Sequence, residues 1–198
     1  MSVCKKRVIY WLIMTGASVA AGVALDLALH TRAFPLFVRL LGLAGMLIAH
    51  VPLKRTGRLL ANRGGIEEQW GCTTRLITAD IYRCLRHPHH LGVGVFMTSL
   101  GLLIGRPWAL LIVTVVQWTW IIAFLLLVEE RELEEKFGEE FRRYRARVPL
   151  LLADPACLLR VLTSPVSGDT GPPERDERRD PVSDDAGPPE QNERRTDE

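Results

Sequence analysis

The chain has 198 residues, 47% of them hydrophobic, and a formal net charge of +2, but these averages hide two unlike parts. Residues 1–162 hold 20 Lys and Arg against 12 Asp and Glu, whereas residues 163–198 hold 5 against 11. The apolar residues sit in the first part, in runs too long for the core of an ordinary soluble domain, which excludes a single water-soluble globular fold.

Lys5-Lys6-Arg7 precedes an apolar run from Val8 to Leu29, 22 residues, which at about 1.5 Å per residue crosses a hydrocarbon layer of roughly 30 Å. A cleaved signal peptide is the rival, since Ser18-Val19-Ala20 resembles a cleavage site, but the apolar run continues past it. Phe34 to Leu53 forms a second span after the turn His30-Thr31-Arg32. Asp26 and Arg39 fall at similar depth on either side of that turn. A charge at membrane depth is costly unless paired, so a hairpin ion pair is expected between them.

Residues 54–90 are polar and basic, with Gly64-Gly65 marking a turn. Leu91 to Val128 then reads as a second apolar hairpin with Gly105-Arg106-Pro107 at its tip. Leu91 to Ile104 is only 14 residues, about 21 Å as a helix and too short to cross alone. The third helix should therefore begin with Pro88-His89-His90 already at the membrane boundary. Polar groups at that depth must face protein or a water-filled cavity, which predicts a pocket.

Gln117, mid-helix in the fourth span, is expected to hydrogen-bond a neighbouring helix. Gly101 and Gly105 have small-xxx-small spacing, which permits close helix approach. Beyond Glu129, Leu133, Phe137, Phe141, Tyr144 and Val148 form an apolar stripe opposite charged residues, the pattern of an amphipathic helix at the membrane interface. Gly138 should break or bend it, and Val148-Pro149 ends it. The Arg142, Arg143, Arg145 and Arg147 run suits lipid headgroups. Cys4, Cys72, Cys84 and Cys157 lack the paired spacings of a zinc or redox motif, so isolated thiols in a reducing compartment are expected and no disulfide framework is.

The tail carries a tandem 16-residue duplication, Pro165–Asp180 and Pro181–Thr196, rich in Pro, Gly and charge and unable to bury enough surface to offset ordering. Together these features predict an all-α polytopic membrane protein: about four transmembrane helices, an interfacial amphipathic helix and a disordered tail. The domain bounds are 1–162 for the membrane-embedded part and 163–198 for the tail. Basic residues crowd the amino terminus, the 54–90 segment and the stretch after Val128, which places both termini on the cytoplasmic side.

Two polar clusters flank the second hairpin. The stretch from Leu76 to Leu91 carries Tyr82, two arginines and three histidines, and Glu129-Glu130 lies 37 apolar-dominated residues later. An out-and-back passage through the membrane would bring both to one surface.

Tyr82, Arg86-His87-Pro88 and Gly92, together with Glu129-Glu130, Leu133, Phe137-Gly138-Glu139-Glu140-Phe141, Tyr144 and Val148-Pro149, resemble the signature of the isoprenylcysteine carboxyl methyltransferase family and the related membrane phospholipid methyltransferases. The resemblance covers roughly residues 74–152. It implies an integral-membrane enzyme that binds S-adenosylmethionine outside any Rossmann fold and methylates a lipophilic or small acceptor such as a carboxylate, thiol or amine. Leu76 and Ile77 would line the cofactor pocket, Tyr82 and the His87-Pro88-His89-His90 turn would contact the cofactor, and Glu129 would bind its ribose. Membrane lipids and the methyl acceptor are the implied partners, with no nucleic acid.

Those assignments suit the chemistry. Imidazoles and the N–H groups of a helix start near Pro88 match a carboxylate, and a glutamate can accept two hydrogen bonds from a cis-diol. Three positions depart from the family's pattern. His90 stands where tyrosine is usual, Asp80 where glycine is, and Leu125 where the prenylcysteine enzymes have a substrate-binding arginine; the last argues against a prenylcysteine carboxylate as substrate. Metal ligation by His87, His89 and His90 is the weaker reading of the histidines, and no metal is assigned. Sterol-type reductases using NADPH share a similar carboxy-terminal motif but need more spans. The non-enzymatic alternative is a membrane scaffold with a degenerate cofactor pocket.

Overall fold

A computed structural model describes residues 3–63, 74–152 and 154–164. The tail repeats, the Gly64-Gly65 turn and Cys72 lie outside the described residues. Among the described residues six α-helices form: α1 (Val3–Ala28), α2 (Leu36–Arg63), α3 (Pro88–Ile104), α4 (Pro107–Phe124), α5 (Glu130–Arg147) and α6 (Pro155–Thr163). A short 3-10 helix at Asp80–Arg83 precedes α3, and a π-helical turn at Leu125–Glu129 joins α4 to α5. Three stretches, Lys6–Ala28, Leu36–Asn62 and Pro107–Arg147, are long and apolar enough to cross a membrane, and Pro88–Ile104 is a shorter apolar helix.

The membrane helices pair α1 with α4, α2 with α3, and α3 with α4. Glycines set the closest approaches. A Cβ on Gly22 of α1 would stand 2.6 Å from the Ala109 Cα of α4, and one on Gly42 of α2 would stand 2.5 Å from the Leu103 N of α3. Without a hydrophobic drive between helices in lipid, such backbone contact is what packs them. Gly101 behaves as its spacing predicts, lying against Leu110 of α4.

Both hairpin tips meet at one end of the bundle. Phe34 N donates to Gly105 O at 2.7 Å, and an Arg106 guanidinium nitrogen donates to Thr31 O at 3.3 Å. Gly105 takes a left-handed φ of 78° as it ends α3, a conformation that favours glycine, and Pro107 opens α4.

The expected Asp26–Arg39 ion pair does not form. The buried Asp26 carboxylate instead accepts from Trp108 N at 3.2 Å and Ala109 N at 2.8 Å, and from the Thr31 hydroxyl. The first turn of α4 offers N–H groups with no intrahelical acceptor and a partial positive charge. Asp26 thus caps α4 from a neighbouring helix, and Arg39 donates to Leu103 O at 3.2 Å.

Gln117 bridges α4 to α1 as expected. It accepts from Trp11 Nε1 at 3.0 Å and donates to Thr15 Oγ1 at 2.8 Å. Replacing Gln117 with Leu is expected to cost about 1–2 kcal/mol, the range of such bonds in membranes, read as a lowered midpoint when the detergent-solubilised protein is unfolded with a denaturing detergent.

Two further differences have local causes. Helix α2 runs to Arg63, ten residues beyond the expected end of the span, because its Lys, Arg, Leu and Ala residues past the membrane favour helix. Helix α6 is an addition to the expected elements, although Asp154 as its cap, accepting from Ala156 N at 3.0 Å, and Pro155 at its first position form a recognisable start. Cys84 and Cys157 form a disulfide, correcting the expectation of isolated thiols. The two residues are 73 apart in sequence, so spacing carries no sign of the bond. It fastens α6 onto the 3-10 helix, where Leu59, Ile81, Tyr82, Cys84 and Leu85 form a buried cluster.

Candidate functional site

Opposite the hairpin tips, the segment before α3 meets the junction of α4 and α5. Pro88 occupies the first position of α3, as the length argument predicts, so His87 sits at the helix cap with His89 and His90 in the first turn. The N–H groups of that turn have no intrahelical acceptor, and the side chain of the cap residue His87 does not bond them. On the other side, the π-helical turn inserts one residue into the helix, rotating the downstream residues by about 100°. Both glutamates of the pair lie against His87 there.

Glu130 is the buried member. Its carboxylate takes His87 Nε2 at 2.7 Å and Arg86 at 2.6 Å, and Arg145 lies 3.5 Å away. Glu129 lies between two imidazoles, with His87 Nδ1 3.5 Å from Oε1 and His90 Nδ1 3.4 Å from Oε2. Those contacts are long for hydrogen bonds. Glu129 Oε2 is buried and has no hydrogen-bond partner among the described residues. Burial pulls the His87 imidazole pKa down, but the adjoining Glu129 and Glu130 carboxylates outweigh that and hold it above the ordinary value.

Of the predicted residues, His87, Pro88, His90 and Glu129 converge. His89 turns away, its Nδ1 3.2 Å from Thr56 Oγ1 of α2. Tyr82 lies in the buried cluster below; burial raises its hydroxyl pKa, and the nearby Glu129 charge adds to that. Ile77 packs against the same cluster, so its contribution is to the floor beneath the histidines. Leu76 is half-buried. The roof is α5, which changes direction at Gly138 (φ 51°, ψ −122°) as the sequence predicts. Phe141 is fully buried beyond the bend, and Tyr144 donates from its hydroxyl to Tyr82 O at 2.7 Å. Arg142 and Arg145 pair back across the bend with Glu134, so the arginine run is partly engaged within the protein.

Several contributors escape the sequence reading. Glu130 and Arg86 stand inside the quoted motif, yet nothing in it says that the second glutamate is the buried anchor. Phe124 carries no sequence signal at all; its ring lies 5.8 Å from that of His90, and the Arg7 guanidinium carbon lies 5.5 Å from its centre. Arg7 in turn bonds Glu132 at 2.9 Å, tying α1 to α5. Past the end of α5 the chain runs beside the site, where Pro149 O and Leu150 O accept from Arg86 N and His87 N at 2.9 and 3.3 Å.

Two departures from the motif acquire a structural meaning. Asp80 holds φ at 59°, the left-handed region where glycine is at ease and aspartate is among the better-tolerated substitutes. Its carboxylate forms a two-pronged buried pair with Arg55 at 2.7 and 2.8 Å. Leu125 is fully buried at the start of the π-helical turn, so its side chain belongs to the packing. Two hollows lie away from the histidines: one of about 430 Å³ lined by Phe34, Thr98, Leu110 and Thr114, and one of about 170 Å³ beside Arg55, Asp80, Arg83 and Arg160. At the histidine–glutamate cluster the side chains of His90 and Glu129 stay partly exposed.

A sequence model described as phospholipid methyltransferase matches residues 31–140, which takes in α2, α3, α4, the π-helical turn and the start of α5. The chain belongs to the phospholipid methyltransferase family. That match includes every predicted site residue from Leu76 to Glu129 and agrees with the resemblance drawn from the motif. No curated protein and no solved structure matches the chain. As a phospholipid methyltransferase family member with helices long enough to span lipid, it is a membrane protein of methyltransferase type.

Proposed function

We propose that the chain transfers a methyl group from S-adenosylmethionine to a lipophilic or small acceptor, a carboxylate, thiol or amine, at the cytoplasmic membrane face. One observation carries this reading: a buried glutamate oxygen without a hydrogen-bond partner, beside two imidazoles and the first turn of α3. A buried acceptor left unsatisfied costs about 1–3 kcal/mol, and a hydroxyl of a bound ribose would relieve that.

The donor set fits the cofactor. Glu129 is suited to accept from the ribose diol, parting the long contacts that His87 and His90 make with it. The first-turn N–H groups of His89 and His90, aided by the helix dipole, suit the amino-acid carboxylate. S-adenosylmethionine supplies an electrophilic methyl on a sulfonium. The protein's part is to hold donor and acceptor in line and exclude water, since methyl transfer gains most of its rate from positioning. Glu130, held by Arg86, fixes the His87 ring and so the shape of the pocket. Basic residues near the site end of the bundle support a cytoplasmic setting for that end and for both termini.

Membranes containing the protein should incorporate label when incubated with methyl-labelled cofactor, and the fraction that carries it, lipid, protein or small thiol, identifies the acceptor class. Absence of label in all three would favour a scaffold with a degenerate pocket. Deleting residues 165–198 is expected to leave cofactor affinity unchanged within about twofold by calorimetry, because the duplicated tail is too polar to build a binding surface.

A further inference from the structure

Beside the 3-10 helix, the hollow of about 170 Å³ is lined by Arg55, Asp80, Arg83, Arg160, Val161 and Ser164. A single water needs about 10–15 Å³, so a larger polar group has room there. Three guanidiniums stand against one carboxylate in this lining, an excess of two positive charges. Asp80 is committed to Arg55, which bonds both of its oxygens at 2.7 and 2.8 Å, and to Ile81 N. The excess therefore rests on Arg83, at the end of the 3-10 helix, and Arg160, in the last turn of α6. Two like charges facing one hollow repel, and an anion between them turns that repulsion into attraction.

We propose that this hollow binds a phosphate group of the phosphomonoester kind. Such a group carries about 1.5–2 negative charges at neutral pH, which matches the excess. The planar fork of a guanidinium presents two N–H groups to two oxygens of a phosphate at once. The clamp is also assembled in advance. Arg55 and Asp80 form a net-neutral wall, and Arg55 donates to Ser164 O at 2.8 Å, which ties that wall to the end of α6. The disulfide joins Cys84, next to Arg83, to Cys157, about one turn before Arg160. It holds the two arginine-bearing segments together before binding and so lowers the ordering cost. Arg55 lies just past Leu53, where the apolar run of α2 ends, so the hollow is at headgroup level, within reach of a phosphate on a lipid or in solution.

None of the six lining residues is among those proposed for the cofactor, so the proposal does not depend on methyl transfer. Arg160, Val161 and Ser164 also lie past residue 140, where the family match ends. The test uses full-length protein in nanodiscs of phosphatidylcholine. In one arm inorganic phosphate is titrated in at constant ionic strength and followed by calorimetry. In the other, phosphatidic acid is added to the nanodiscs and the lipid retained by the protein is counted by native mass spectrometry. The expected result is one saturable site in at least one arm, weakened about tenfold or more in Arg83→Gln and in Arg160→Gln, because each removes charge-assisted bonds. Both side chains are exposed, so these variants keep the fold. Arg58→Gln, which removes an exposed charge of α2 outside the lining, should change the affinity by less than about twofold. Binding in the first arm assigns the site to dissolved phosphates, and binding in the second alone assigns it to lipid. No saturable binding in either arm, binding that survives the Arg83→Gln and Arg160→Gln double variant, or an equal loss in Arg58→Gln would overturn it.

Discussion

Glu129→Ala is expected to weaken S-adenosylmethionine binding by about 100-fold or more. The carboxylate is placed to accept two hydrogen bonds from the ribose diol, and bonds to a charged acceptor contribute about 1.5–3 kcal/mol each. Losing about 3 kcal/mol corresponds to roughly two powers of ten in Kd. Glu129→Gln keeps the shape and one acceptor oxygen but loses the charge, so its loss should be smaller, about tenfold. His87→Ala should weaken binding as well, since it removes the ring that Glu130 and Arg86 hold against Glu129. Calorimetric titration of the purified protein checks all three. Wild-type affinity in Glu129→Ala would show that the cofactor is not held by this carboxylate.

Arg55→Leu is expected to be the most destabilising single change near the site. Arg55 and Asp80 form a buried pair with two bonds, at 2.7 and 2.8 Å, and removing one partner of such a pair costs about 3–5 kcal/mol because the other charge stays buried. Asp80 also accepts from Ile81 N at 2.7 Å and holds a left-handed backbone. The loss should therefore spread to the 3-10 helix carrying Tyr82. Asp80→Asn retains tolerance of that backbone and should cost less than Arg55→Leu. The double variant Arg55→Leu with Asp80→Gly, which removes both charges and restores the residue most at ease with that φ, should recover part of the loss. Denaturation midpoints of the four proteins decide; a double variant no better than Arg55→Leu would contradict the account.

Much of this architecture is legible in the residues. The apolar runs identify the spans because lipid tolerates few alternatives to a helix, and the shortness of Leu91–Ile104 correctly moves the start of α3 back to Pro88. Gln117 and Gly138 are each the odd residue in an otherwise uniform stretch, and each does what that oddity implies. Partner choice is harder to read. Asp26 and Arg39 share a depth, yet the open N–H groups of α4 compete for the carboxylate and win, a contest that depends on where a helix starts in space. The sequence likewise points to a glutamate pair without saying which member is buried. The π-helical turn beside the pair shifts the phase of the helix, and that shift leaves no periodicity to detect. The Cys84–Cys157 bond and the Arg55–Asp80 pair join positions distant in sequence, so no local pattern announces them.

The central claim is that two polar segments, separated by a passage through the membrane and back, hold the same cofactor molecule. Photolabelling with radiolabelled S-adenosylmethionine, with peptide mapping of the product, tests it most directly. The account predicts label on both peptides, one from residues 76–91 and one containing Glu129 and Glu130, with both signals falling together in Glu129→Ala. Label confined to one peptide and unaffected by that substitution, or found only on residues outside both, would contradict it.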